Sequence, residues 1–323
     1  MSDFDPQAAA KARKAELTAI TDKLEQGVRQ IFESDGYIEY LNFCARLPRY
    51  SVNNQILIML QRPNATMCQS FTGWKNMNRY VRRGERSIRI LAPAPYKKCI
   101  EQDRLDISGR PMKGTNGEIL KESVEVTITS FKPISTFDIS QTEGEPIPEL
   151  GITELIGSVD GYTQLLDAIK ESVPVPISFE DIPSGAKGFY SIEDDRIAIQ
   201  NNMSEAQTIK TIIHEAAHQA LHSKERMSKD VKQKSRNQRE TEAESVAYII
   251  CQHFGIDTSD YSFGYVASWS ADKDTPELKS SLDTIRNAAS DLIVKIEDHI
   301  QAKNNLVEME AFIREHSDEL PFR

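Results

Sequence analysis

One stretch, Thr208 to His222, constrains the chain more than any other: TIKTIIHEAAHQALH. It holds no glycine or proline, and Ile209, Ile212, Ile213, Ala216, Ala217, Ala220 and Leu221 recur at helical period. Ser204 followed by Gln207 reads as a capping box with Ser204 at the N-cap. In such a helix, positions four apart stand one turn above each other on the same face. The H-E-x-x-H run therefore presents the imidazoles of His214 and His218 together. Two imidazoles at that spacing can hold one zinc ion at about 2.0–2.1 Å each. Glu215 lies beside that face, where a carboxylate can take a proton from a water held at the metal. The pattern also arises by chance in helices; here an apolar helix and an acidic segment downstream lift it above chance.

A zinc site that does chemistry needs a third protein ligand and an open fourth position. The run Glu240-Thr241-Glu242-Ala243-Glu244 leads into an apolar segment ending at Cys251 and reads as a second helix. Glu240 and Glu244 share one face of it, and Glu242 points elsewhere. We assign Glu240 as the third ligand, with Glu244 one turn on accepting a hydrogen bond from a ligating imidazole. The alternative is Glu244 as the ligand. His222 continues the histidine row by four and reads as a polar residue near the helix end, while His253, His299 and His316 read as surface or helix-end histidines.

The length of 323 residues leaves room for two domains with a substantial core. A hydrophobic content of 39% and a charged content of 27% fit a globular protein in water. No run of about 18 apolar residues occurs, so no membrane span is expected. The opening MSDFDPQAAAKARKAEL lacks an apolar signal core, which points to a cytoplasmic location. Cys44, Cys68, Cys99 and Cys251 are scattered and read as reduced thiols rather than as metal ligands. The net charge of −10 is unevenly spread. From Cys44 to Lys98, eleven arginines and lysines meet a single acid, Glu85, which makes that segment +10 and the remainder −20. Such asymmetry points to a polyanion-binding module joined to an acidic one.

Residues 6–34, Tyr37 to Leu47 and Asn53 to Gln61 read as three helices, the third with Ile56, Leu57, Met59 and Leu60 turned inward. A short helix is expected over Ser70 to Tyr80, a turn over Val81 to Glu85, and strands over Ser87 to Ala92 and Ser123 to Pro133. Lys98 to Lys121 reads as a loop or hairpin, and Phe137 to Gly144, with Pro146 and Pro148, as a linker. Beyond it come a helix over Gly161 to Glu171, a strand over Ile177 to Glu180, and a hairpin of Gly188–Ile192 with Arg196–Ile199. The hairpin's edge could hold an extended substrate by strand addition. Ser223 to Arg239 joins the two histidine and glutamate helices, and the aromatic Thr258 to Trp269 follows them. Two helices, Thr275 to Lys303 and Asn305 to Glu315, close the chain. The fold class expected is α+β in two domains: a mixed N-terminal domain over 1–148 and a mostly helical domain with a small β-sheet over 149–323.

The segments Tyr50-Ser51-Val52-Asn53-Asn54-Gln55, Phe71-Thr72-Gly73-Trp74-Lys75, Val81 to Ser87 and Phe137 to Gly144 resemble the N-terminal domain of ArdC-type antirestriction proteins, also seen in LtrC-like proteins. The HEAAH run with Glu240 to Glu244 and Ala247 resembles an ImmA/IrrE-type zincin metallopeptidase. The resemblance covers roughly residues 10–270. It implies a single-stranded-DNA-binding domain joined to a metallopeptidase-like domain on a mobile element, with the first Glu of the acidic motif, Glu240, as third zinc ligand.

Single-stranded nucleic acid fits the residues. Cations neutralise phosphates, and bases stack on aromatic rings for about 1–3 kcal/mol each. Arg49, Asn53, Trp74, Lys75, Arg79, Arg82, Arg83 and Arg86 are the expected contacts, and Tyr50, Phe71 and Tyr80 lie among them. Trp74 reads equally well as core. The expected function is a DNA-tethered zinc metalloprotease acting on a protein or peptide substrate, with Glu215 catalytic and Tyr190, Tyr261 or Tyr265 steadying the oxyanion. Its rivals are a protective single-stranded-DNA-binding protein with an inert zinc site, and a regulator that cleaves one repressor.

Overall fold

Four serines fix where four helices start. Ser51, Ser70, Ser204 and Ser235 each turn a side-chain oxygen to the N–H three residues on, at 3.4, 3.0, 3.4 and 3.2 Å. Each satisfies one of the donors that a helix start leaves open. The computed structural model describes residues 6–33, 35–114, 116–147, 159–225, 234–259, 261, 263, 266, 270–271 and 273–315. Among them, the N-terminal half holds α1 (Pro6–Ile31), α2 (Gly36–Arg46), α3 (Val52–Gln61) and the short α4 (Phe71–Asn76). Its strands are β1 (Cys68–Gln69), β2 (Arg79–Val81), β3 (Ile88–Pro93), β4 (Tyr96–Asp103), β5 (Lys121–Ile128), β6 (Phe131–Asp138) and β7 (Thr142–Gly144). The C-terminal half holds α5 (Val159–Ser172), β8 (Ile177–Glu180), β9 (Gly188–Ser191), β10 (Arg196–Gln200), α6 (Glu205–His222), α7 (Arg236–His253) and α8 (Thr275–Glu315). This is the expected α+β class: eight helices and four small sheets among the described residues.

The helical stripes found by periodicity are the core. Ile20, Leu24, Val28 and Ile31 of α1 are buried, as are Tyr40, Leu41 and Phe43 of α2 and Ile56, Leu57 and Ile58 of α3. Full burial of such side chains stabilises by about 1.5–3 kcal/mol each. On α3, Ile58 takes the inward place expected for Leu60, which is 43% exposed. The core is continuous across both halves because α2 packs on α7. Tyr37 and Ser245 share a hydrogen bond of 2.7 Å, Tyr248 donates to Asn42 at 3.0 Å, and His253 Nδ1 reaches the Ala45 carbonyl at 2.7 Å. All four cysteines are free thiols.

Several expected elements differ. Phe137 to Gly144 is not a linker: it completes β6, forms a 3₁₀ turn with a full capping box around Asp138, and pairs as β7 with β2. Gly144 is needed there, since its φ is +131° and a Cβ would meet the Asn78 carbonyl oxygen at 2.3 Å. The helix expected to Tyr80 stops at Asn76, and Arg79 to Val81 is strand instead. The strand expected over Ser123 to Pro133 is two, interrupted at Thr129 and Ser130, although the antiparallel pairing runs on through the break, where the Ser130 carbonyl accepts from the Ala94 N–H at 2.7 Å. Of the two readings of Lys98 to Lys121 the hairpin holds: Lys98 to Asp103 belong to β4, which pairs with β5 in antiparallel register from Tyr96↔Ile128 to Asp103↔Lys121. β4 was not legible as a strand, because every residue of it is exposed. The chain closes with one helix, α8, of 41 residues, unbroken at Asn304 and Asn305.

Beside α6 lies a three-stranded sheet in the order β8-β10-β9, with β8 parallel and β9 antiparallel to the central β10. β9 is thus an outer strand. Gly188 brings it against α6: a Cβ there would lie 2.6 Å from Thr211 Cγ2.

Candidate metal centre and nucleic-acid face

His214 and His218 stand one turn apart on α6, and Glu240 projects from near the start of α7 toward both. The two Nε2 atoms are 3.1 Å apart, and Glu240 Oε2 is 3.8 Å from the first and 3.4 Å from the second. One atom from each side chain falls within a 4.8 Å circle. Bonds of about 2.0–2.1 Å to a tetrahedral ion separate neighbouring ligand atoms by about 3.4 Å. The three side chains therefore fit a small divalent cation with an open fourth position. Burial holds the imidazole of His214 below the usual histidine range, helped by neighbouring His218 and opposed by Glu240 and Glu244. Burial likewise holds down His218 against the pull of Glu240. Both are kept in the neutral form that ligates metal.

Glu215 is 8% exposed, and burial pushes its carboxyl up to about 7, with Glu240 adding to the rise and the Tyr190 backbone N–H, which donates to it, opposing. A carboxyl that changes protonation near neutrality suits a group that takes and returns a proton. Glu244 lines the same cavity, of about 430 Å³, as His214, Glu215 and Tyr261. Of the tyrosines considered for an oxyanion, Tyr190 directs its hydroxyl to Asp195 at 2.7 Å, Tyr261 lines the cavity, and Tyr265 lies outside the described residues. The expected capping box at Ser204 is half formed: Ser204 accepts from Gln207 N–H, but the Gln207 side chain contacts Lys187 and Thr211.

Three residues to which sequence reasoning assigned no part in the site matter here. His222 is buried with its Nε2 3.2 Å from the Arg239 carbonyl. Glu242 is fully buried and pairs with Lys234 at 2.9 Å. Lys210 is buried one turn before His214. His222 carried a signal as the continuation of the histidine row, and Glu242 as the odd member of a three-glutamate run.

On the N-terminal half the expected contacts divide. Trp74 does not face a ligand: it is fully buried, and its indole N–H donates to the Phe137 carbonyl at 2.8 Å. That bond satisfies the ring's polar edge and makes it core. Arg79 is half-buried and spends its guanidinium on Thr142 Oγ1 at 2.9 Å and on the Glu145 carbonyl, so it pins β7 rather than facing outward. Arg82 bridges Glu85 at 2.9 Å and the Ser140 carbonyl at 2.6 Å while staying exposed. Arg49 is exposed and pairs with Glu297 at 2.9 Å. Lys75, Arg83 and Arg86 are exposed, and Asn53 is half-buried. Phe71 at 58% and Tyr80 at 54% exposure are the outward aromatic rings near them.

Residues 11–137 match the family described as the N-terminal domain of anti-restriction factor ArdC, and residues 174–291 match a zincin-like metallopeptidase family. The chain joins an ArdC-type N-terminal domain to a zincin-like metallopeptidase domain. The zincin-like domain holds the His214, His218 and Glu240 cluster, and the ArdC-type domain holds the basic face. The pair of domains is similar to an uncharacterized protein of Bacillus anthracis, 28% identical over 89% of this chain and 52% of that one. It is also similar to the DNA primase TraC of Escherichia coli, 26% identical over 79% of this chain and 17% of that one. The chain thus spans about half, or less, of these relatives' length. Crystal structures of the antirestriction ArdC protein from plasmid R388, metal-free and Mn(II)-bound, align over 78% of this chain and 84% of theirs. The alignments give TM-scores of 0.42 and 0.43 at 22% and 20% identity. Among the described residues, no helix is long and apolar enough to cross a membrane.

Proposed function

We propose that the chain is a cytoplasmic antirestriction-type protein of a mobile element that binds single-stranded DNA through residues 1–148 and hydrolyses peptide bonds through residues 149–323. The observation that carries the peptidase reading is the meeting of His214, His218 and Glu240 around one point, with the buried carboxyl of Glu215 beside it. In this reading the second unit is a zincin of the ImmA/IrrE type and the ion is zinc; two histidines and a carboxylate also suit Mn²⁺. A divalent ion held there supplies Lewis acidity to a water and to the peptide carbonyl. Glu215 takes the proton of the attacking water and passes it to the departing amine. The edge of β9 away from β10, outermost among the described residues, is the strand edge for an extended substrate. Tyr261, which lines the cavity with its hydroxyl 3.9 Å from Cys251 Sγ, is our candidate to steady the oxyanion.

The test is Glu215→Gln. It should abolish cleavage of a protein substrate while one metal ion per chain is retained; full activity in the variant would sink the mechanism. Exposed Phe71, Tyr80, Lys75, Arg83 and Arg86 favour a second role that persists without cleavage, the protection of single-stranded DNA. Protection that survives Glu215→Gln and is lost in the Arg82/Arg83/Arg86→Glu variant would make DNA binding the main activity. A single protein cut with or without DNA would instead identify a repressor-cleaving regulator.

A further inference from the structure

β9 and α6 lie side by side in register. Lys187, just before β9, donates to Gln207 at 2.8 Å, Gly188 abuts Thr211, and the Tyr190 N–H donates to Glu215. Two residues of strand, Gly188 to Tyr190, thus match four of helix, Thr211 to Glu215. The lengths agree, at about 6.6 Å for the strand and about 6 Å for the helix. A peptide extended along the outer edge of β9, where the Tyr190 N–H meets Glu215, therefore also runs along α6.

One turn before His214 on that helix is Lys210. Its side chain is 10% exposed and lines the same cavity as His214 and Glu215. An ammonium group tolerates such burial where a carboxylate offsets the lost hydration. Among the described residues, one carboxylate near it is Asp257, at 4.0 Å, which is itself 71% exposed. Lys210 thus brings a positive charge into the cavity that His214, Glu215 and Glu244 line. The distance from the cluster to Lys210, one helical turn, equals two residues of an extended chain.

We propose that Lys210 sets the specificity of this cleft by reading a carboxylate two residues from the cleaved bond. This deepens the peptidase reading and rests on it. The carboxylate belongs to an aspartate or glutamate side chain or to the substrate's own C-terminus, and it joins Asp257 around the same ammonium group. Peptides neutral at that position are the poorer ligands.

The probes are fluorescein-labelled alanine-glycine nonapeptides in which one glutamate, or glutamine in its place, is moved through every position, each with a free or amidated C-terminus. They are bound to metal-loaded Glu215→Gln protein and read by anisotropy. At one register the carboxylate peptide should bind at least about tenfold more tightly than its amide counterpart. Lys210→Arg should keep the preference, Lys210→Met should erase it and Lys210→Glu should reverse it, with circular dichroism confirming the folds. Loss of the preference on C-terminal amidation, rather than on exchange of glutamate for glutamine, assigns the carboxylate to the chain end. Equal binding of acid and amide peptides, absence of binding, or a preference that survives in Lys210→Met would overturn the proposal. The peptidase reading fails separately if the preference depends on Lys210 but metal-loaded protein with Glu215 intact leaves the bound peptides uncut.

Discussion

Three imidazoles stand in a row on α6, and two of them, His214 and His218, turn toward Glu240. The third, His222, holds the carbonyl of Arg239, the residue immediately before Glu240. Burial pushes its imidazole down to about 4, so at neutral pH it is uncharged and can donate to that carbonyl. His222→Leu should therefore leave the fold intact and weaken metal binding about 10- to 100-fold, measured by competition with a chelator. Unchanged affinity would show that α7 positions Glu240 without it. Helical period put His214 and His218 on one face and Glu240 with Glu244 on another; which glutamate meets the imidazoles is visible only in the packing of α6 on α7. Lys210 was not legible, because the burial of a lysine depends on what the rest of the chain lays over it. Trp74 was ambiguous for the same reason: its partner, the Phe137 carbonyl, comes from a distant strand. Trp74→Ala should cost about 3–5 kcal/mol of stability by denaturant titration. Tyr80→Ala should leave stability nearly unchanged and weaken single-stranded DNA binding by about 1–3 kcal/mol.

At the scale of elements, the β4–β5 ribbon pairs with itself and is exposed along nearly its whole length. Replacing residues 97–127 with a short turn should leave the melting temperature within a few degrees, since β3 and β6 pair directly up to Pro93↔Phe131. A collapse of the fold would mean that the ribbon supports it. The β5 half of this ribbon was legible because Val124, Val126 and Ile128 alternate with polar residues, whereas two-sided exposure left β4 without the alternation that marks a strand. The α8 helix was misread as two because Asn304 and Asn305 are common breakers, while its buried stripe from Leu278 to Ile300 holds it straight. Its Glu297 meets His253 at 3.0 Å and Arg49 at 2.9 Å. Burial raises the Glu297 carboxyl, but those two partners outweigh it and hold it below the usual range. A carboxylate depressed in the folded state adds stability above its unfolded value and loses it as pH falls through the folded one. Urea midpoints of the native chain should thus fall below about pH 4 more steeply than those of Glu297→Gln; parallel curves would count against the ion pair.

For the whole molecule, charge separation was the most legible property of the N-terminal half, although half-buried Arg79 turned out to serve the fold. If about four exposed cations, among them Lys75, Arg83 and Arg86, each neutralise a phosphate, the log–log salt dependence of single-strand binding should slope near −3. A slope near zero would remove the electrostatic tether.

The helix α7 belongs to the C-terminal half in sequence, yet it is the floor on which α2 of the other half sits. Its N-terminal part supplies Glu240 and its last turn supplies His253, which grips Ala45. A protease that nicked the chain between residues 147 and 159 would cut one covalent connection and leave this shared helix untouched. The two fragments should therefore copurify as a single particle, and either one made alone should aggregate through the apolar surface the other had covered.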